Sequence, residues 1–263
     1  MKRFFATAVL AAALAAASAA NAATVFITGS NKGLGFEFAK QYAEKGWTVI
    51  ATTRNPDGAK ELKELAAKHK NLMIDKLDVS NDTEIAAIAA KYKGKPIDLL
   101  INNAGILGEH ADQTLGTFSR KGFHDVVDVN DFGALAVSQA LRENVIASEQ
   151  KKIVAMTSGL GSISTAGRMP KAPYYYRMSK AALNMGFQAL NADLKGQGVL
   201  VAVVAPGTAE TAMLTEFLDD YGMKLPTITA AESVSKLIGV IDGLDQAKAV
   251  KGINNYDGTI LPW

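Results

Sequence analysis

From position 23 onward, short apolar runs rich in β-branched residues alternate with longer stretches whose apolar positions recur at helical spacing. The runs TVFIT (24–28), WTVIATT (47–53), NLMIDKLDV (71–79), IDLLINNAG (97–105), KKIVAMTS (151–158) and VLVAVVAP (199–206) predict strands, and a further short strand is expected around 250–254. Segments 33–45, 58–69 and a stretch ending near Lys93 predict helices, the last capped by Ser80 or Asn81. Longer helical segments lie before and after the fifth strand. Nearly continuous apolar strands separated by helices imply a parallel sheet buried on both faces. Right-handed crossovers then make it doubly wound, an α/β fold with helices on both sides and about seven strands. No repeat, charge block or proline-rich linker divides 23–263, so this stretch is expected to be one domain.

The first 22 residues follow another pattern. Lys2 and Arg3 precede an alanine-rich apolar run that ends in Ala20-Asn21-Ala22. A basic start, an apolar stretch and an A-x-A site are the parts of a secretory signal peptide, so residues 1–22 predict export to the periplasm or the exterior. A short membrane anchor and an ordinary alanine-rich helix are the alternatives, the anchor being short for a span. A cytoplasmic or membrane-tethered protein would follow from those.

Charge changes little beyond this. Of 28 basic residues, cleavage after Ala22 removes Lys2 and Arg3, and the remaining 26 equal the 26 acidic ones. The mature chain offers no basic footprint for nucleic acid, and no membrane insertion is expected of it. With no cysteine, thiol nucleophiles, disulfides and thiolate metal sites are excluded; His69, His110 and His124 form no close ligand pair, so no metal is expected.

The first strand runs into Thr28-Gly29-Ser30-Asn31-Lys32-Gly33-Leu34-Gly35 and then a helix. Glycines let a backbone turn sharply and approach a pyrophosphate, and a helix N-terminus offers its N–H groups to the anion. A glycine-rich turn without a ligand is the alternative, since the spacing is not G-x-G-x-x-G. An acid at the end of the second strand would accept from a ribose 2′-hydroxyl and repel a 2′-phosphate. No acid occurs between Lys45 and Pro56; Arg54 follows Thr53, and Lys32 sits in the loop. These two cations favour NADP(H) over NAD(H), against the reading of Arg54 as a solvated surface residue.

Tyrosine, with an ordinary pKa of about 10, becomes useful as an acid and base when an ammonium stabilises its phenolate. Tyr-x-x-x-Lys on a helix puts both groups on one face. Of seven tyrosines, Tyr176 alone has lysine four residues on, at Lys180. A surface Tyr–Lys pair is the alternative.

The T-G-x-x-x-G-x-G loop, Asn102-Asn103-Ala104-Gly105, the Tyr176/Lys180 pair and the turn Pro206-Gly207-Thr208-Ala209-Glu210-Thr211 together resemble the short-chain dehydrogenase/reductase superfamily. Tyr176-Arg177-Met178-Ser179-Lys180-Ala181-Ala182-Leu183-Asn184 and the stretch Asn255-Tyr256-Asp257-Gly258-Thr259-Ile260-Leu261-Pro262-Trp263 resemble its carbonyl-reductase branch, which includes Sniffer and C-factor. The resemblance implies a Rossmann-type domain and hydride transfer between a nicotinamide cofactor and a small carbonyl or alcohol. It implies that Tyr176 is the acid and base, that Lys180 also binds the nicotinamide ribose, and that Ser158 holds the substrate oxygen, with Thr157 the choice one register away. Asn130 would hold a water leading from the lysine to solvent. Asp78 and Val79 would lie beside the adenine, Asn103, Ala104 and Gly105 along the cofactor, and Pro206, Gly207 and Thr211 near the nicotinamide. Segments 105–116, 162–173 and 210–226 would wall the substrate pocket. A homodimer or homotetramer would form through 117–148 and 174–195. A cofactor-binding signalling protein with little turnover is the other function the C-factor likeness implies. An exported leader departs from those intracellular proteins and raises the question of cofactor supply, since NADP is scarce outside the cytoplasm.

Overall fold

The computed structural model describes residues 22–168 and 173–263, so the leader reading, on residues 1–22, lies almost wholly outside the described residues. The chain winds β1 (Thr24–Ile27), α1 (Gly33–Glu44), β2 (Thr48–Thr53), α2 (Lys60–Lys68), β3 (Leu72–Lys76), α3 (Asp82–Tyr92) and β4 (Leu99–Asn102). Next come α4 (Arg120–Val127), a π-helical turn (Asp128–Phe132), α5 (Gly133–Ile146), β5 (Lys152–Met156), α6 (Tyr174–Leu194) and β6 (Leu200–Ala205). The remainder holds β7 (Ala209–Glu210), α7 (Ala212–Asp220), β8 (Ile228–Thr229), α8 (Ala230–Asp242), α9 (Gln246–Lys251), β9 (Ile253–Asn255) and β10 (Ile260–Leu261).

The main sheet has eight strands in the order β10-β9-β6-β5-β4-β1-β2-β3, parallel throughout except for the edge pair β10 with β9. Its order reverses between β1 and β4, the switch point beside which open α/β sheets bind ligands. The continuous apolar runs follow from this geometry, because successive side chains face opposite layers. Val25 and Ile27 of β1 pack with Phe38 and Tyr42 of α1 and Leu237 and Ile241 of α8. Phe26 between them packs in the other layer with Ile88 of α3, Leu141 of α5 and Phe187 of α6. Each such fully buried side chain contributes about 1.5–3 kcal/mol.

Asn81, not Ser80, caps α3, accepting from the amides of Thr83 (3.0 Å) and Glu84 (3.2 Å). The strand expected over 71–79 ends at Lys76, so Asp78 and Val79 lie just beyond it. The strand expected over 250–254 starts later, at Ile253, because Asp245 caps a short helix that takes in Val250 and Lys251. Antiparallel β10 and the small β7–β8 pair extend the predicted topology. Among the described residues no helix is long and apolar enough to cross a membrane, and no cluster of three or more His, Asp or Glu is placed to hold a metal.

Candidate active site

Beyond the carboxyl ends of the strands lies a cavity of about 1200 Å³. Its floor begins in the glycine loop, where Gly29 (φ +68°) and Gly33 (φ +58°) adopt the left-handed backbone that glycine permits. A Cβ on Gly35 would stand 2.2 Å from the Gly29 carbonyl oxygen, so only glycine allows α1 to start this close to the loop. Lys32 at the helix cap makes no side-chain capping bond, leaving the first turn to an anion. Gly29, Asn31, Lys32, Gly33, Leu34 and Gly35 all line the cavity. Ser30 does not. It is fully buried, its hydroxyl donating to the Ile27 carbonyl at 3.0 Å and its amide to Thr52 at 2.8 Å, so it fixes the loop from beneath.

Thr28 ties that loop to the end of β4. Its hydroxyl oxygen accepts from the amides of Asn103 and Ala104, both at 3.0 Å, while the Asn103 side chain donates to the carbonyls of Thr28 (2.9 Å) and Gly29 (3.1 Å). Asn103, Ala104 and Gly105 thereby line the cavity's middle. Arg54, Asp78 and Val79 line it beyond β2 and β3, and Pro206, Gly207 and Thr211 beyond β6. Burial raises the Asp78 carboxyl, but hydrogen bonds from Ser80 and the charges of Arg54 and Lys76 outweigh this and hold it below the usual carboxylate range. Arg54 and Ser158 follow strands three steps apart in the sheet, about 14 Å at ~4.8 Å per step, which suits an elongated ligand.

The reactive groups gather past β5. Ser158 has an extended backbone, accepts from the Leu160 amide at 3.1 Å, and hydrogen-bonds Tyr176. Thr157 turns into the core, where its hydroxyl donates to Asn184 Oδ1 at 2.7 Å. Of the two hydroxyls, Ser158's is therefore the one that meets the tyrosine. Lys180 Nζ lies over the Tyr176 ring, 5.6 Å from its centre, and donates to the Met156 carbonyl at 2.8 Å. Burial drives the lysine down to about 8 against the opposing charge of Asp131. The Tyr-x-x-x-Lys spacing predicts a lowered phenol; the structure reverses this. Burial pushes Tyr176 up to about 12, with the Ser158 hydrogen bond pulling the other way.

Asn130, in the π turn, is buried and does not line the cavity. Its side chain accepts from the Ile106 amide (2.7 Å) and donates to the Ile106 carbonyl (2.8 Å) and Ser179 Oγ (3.0 Å). The side-chain amide is thus engaged in joining the loop after β4 to α6, beside the lysine.

All three expected substrate walls contribute, through Leu107, Arg168 and Phe217 among others. Residues 169–172 of that wall lie outside the described residues. A fourth wall was not anticipated: Leu261 of β10 lines the cavity, and the Trp263 carbonyl accepts from the Ser164 amide (2.9 Å) and hydroxyl (2.6 Å). A two-residue strand leaves no periodic signal to find it by. Gln113, joined to Tyr176 by a hydrogen bond of 3.2 Å, was likewise missed and belongs to no sequence motif.

Comparison with known proteins agrees with this geometry. Residues 23–222 match the family model described as short chain dehydrogenase. An uncharacterised oxidoreductase of Schizosaccharomyces pombe is 31% identical over 251 residues, which cover 90% of this chain and 97% of that protein. The NADPH-bound carbonyl reductase from chicken fatty liver is 30% identical, with a TM-score of 0.81 over 92% of this chain and 100% of that one. The carbonyl reductase Sniffer of D. melanogaster is 28% identical, with a TM-score of 0.78 and the same coverage. The chain belongs to the short-chain dehydrogenase/reductase superfamily, in its Sniffer-like carbonyl reductase branch.

Proposed function

We propose that this protein reduces the carbonyl group of a modest, largely apolar aldehyde, ketone or quinone to an alcohol, with NADPH preferred over NADH. The observation that carries the reading is the Tyr176 phenol, hydrogen-bonded to Ser158 and lying under the Lys180 side chain, with all three residues lining the cavity. The cavity fits the cofactor by its uncapped helix start and the approach that Gly35 leaves open. When bound, the reduced nicotinamide supplies the hydride.

The protein's residues do the rest. Ser158 and Tyr176 donate hydrogen bonds to the carbonyl oxygen, polarising it. As the carbon gains hydride, the phenol gives its proton to that oxygen and the alcohol is complete. The Lys180 ammonium stabilises the phenolate left behind, and Asn130 keeps the adjoining loop and helix in register. Arg54 and Lys32 would meet a 2′-phosphate. Apolar lining from Leu107, Leu160, Leu214, Phe217 and Leu261 supports the substrate class, and NADPH in the chicken carbonyl reductase supports the cofactor.

The test is a panel of aldehydes, ketones and quinones offered to the chain from Ala23 with NADPH and with NADH. The same panel is offered to Tyr176→Phe, which is expected to bind NADPH normally and to lose at least about a hundredfold in kcat. Turnover near the wild-type rate in that variant would refute the mechanism; NADPH binding without turnover by the unaltered chain would point to the signalling alternative.

Export with cleavage after Ala22 is part of the proposal, resting on the leader's sequence; a mature protein in the native host that begins at Met1 or at Lys2 would exclude it. Self-association is also proposed, resting on the exposed Phe132, Met178 and Met185 near or on α6. Sedimentation as a monomer at micromolar concentration would exclude that.

A further inference from the structure

We infer that Gln113 is a positioning residue for Tyr176, capping the first turn of the catalytic helix from outside the helix; this rests on the function proposed above. The first N–H groups of any helix lack partners within it. Helix α6 starts after Pro173, which makes no side-chain cap, and Tyr176 is only its third residue. Gln113 comes from a loop far away in sequence. Its carbonyl accepts from the Tyr174 amide at 3.3 Å, and its side-chain Oε1 accepts from the Tyr176 amide at 3.2 Å. Its Nε2 donates to the Leu107 carbonyl at 2.9 Å.

Gln113 is fully buried, so both ends of the amide are committed to protein partners. Room for it is left by Gly108 (φ +81°), on which a Cβ would stand 3.1 Å from Gln113 Nε2 and 2.4 Å from Val126 Cγ2. The same loop is joined again to the helix start where the Ser119 amide donates to the Tyr175 hydroxyl at 2.5 Å. Leu107 lines the cavity, so one amide connects the substrate wall to the backbone of the proton donor.

Helix ends fray before helix interiors. Lys180 sits one turn deeper and is held independently through Met156. Losing the cap would therefore release the phenol from the ammonium while leaving the lysine in place.

The variant to make is Gln113→Met, of similar volume without the acceptor. Expected is a fall in kcat of about tenfold, what loss of one well-placed hydrogen bond can cost. NADPH should bind with unchanged stoichiometry and a Kd within about twofold, since cofactor contacts are untouched. The solvent deuterium isotope effect on kcat should rise, because proton transfer from a displaced phenol becomes limiting; mere loss of folded protein would not change it. Gln113→Glu should recover most of kcat, because burial favours its protonated carboxyl, which can both accept and donate.

Tyr176→Phe is measured in parallel. If it keeps turning over, the proposed function fails. If it is dead while Gln113→Met matches the wild type in kcat and isotope effect, only the role of Gln113 fails. Should Gln113→Met not fold, the wild-type protein decides. Slow hydrogen exchange at the Tyr174 and Tyr176 amides supports the cap, and exchange at the rate of an open first turn overturns it.

Discussion

Lys180 Nζ stands over the Tyr176 ring, 5.6 Å from its centre. The lysine loses its charge near pH 8, whereas the phenol stays protonated to about 12. The group that changes state in the working range is therefore the lysine. A lysine with a lowered pKa is cationic below that value and neutral above it. Carbonyl reduction, which needs the ammonium to stabilise the nascent phenolate, should hold steady at neutral pH. Above about 8, kcat/KM should decline by roughly tenfold per pH unit. A stopped pH profile from 6 to 10, with enzyme integrity checked at each point, reads this directly; a flat profile to pH 10 removes the lysine from the reaction.

Asp131 offers a way to move that limb. It follows Asn130 in the π turn, its Oδ1 is buried without a hydrogen-bond partner, and its charge opposes the fall of the Lys180 pKa. Burial raises the carboxyl itself, with the lysine's charge acting against this. Replacing it by asparagine removes a negative charge that favours the ammonium, so Lys180 should deprotonate at lower pH. The alkaline limb of Asp131→Asn is expected to shift toward acid with the plateau rate little changed. A shift toward alkali would reverse the sign of this argument.

Cofactor choice should depend on Arg54. The residue lines the cavity beside Asn55 and Asp78, at the end of β2. A charge-assisted hydrogen bond is worth about 1.5–3 kcal/mol, so Arg54→Ala should raise the KM for NADPH by roughly 10–100-fold. The KM for NADH should change by no more than about threefold, because the alanine removes no contact to a bare hydroxyl ribose that water cannot replace. Equal losses with both cofactors would mean that Arg54 serves the loop and not the phosphate.

The sequence disclosed those parts of the fold whose cause is local. Phe26 and its neighbours alternate between two buried layers, and a strand covered on both sides has to be apolar throughout. Gly29 and Gly33 announce themselves because few other residues take a positive φ. What stayed hidden depends on partners distant in sequence. Gln113 acts on a residue 63 positions away and looks like any loop polar residue. Leu261 enters the cavity on a strand too short to carry a period. The direction of the Tyr176 shift could not be read from spacing, since i to i+4 fixes the charge neighbour but not how far the surrounding chain excludes water.

The adjoining hydroxyls at the end of β5 allow a separation of chemistry from stability. Ser158 faces Tyr176, while Thr157 faces Asn184 in the core. Ser158→Ala removes a donor to the substrate oxygen, and kcat should fall by about 10- to 1000-fold, while stability should fall by only about 0.5–2 kcal/mol for the lost cap on Leu160. Thr157→Val keeps the shape but leaves Asn184 Oδ1 without its donor in a buried setting, so stability should fall by about 1–3 kcal/mol. Its kcat, measured well below the melting range, should stay within about threefold of wild type, since the hydroxyl removed donates to Asn184. Kinetics and thermal unfolding of both variants, run side by side, give the answer. If the threonine variant loses turnover while the serine variant keeps it, the register of the β5 turn has been read one residue out.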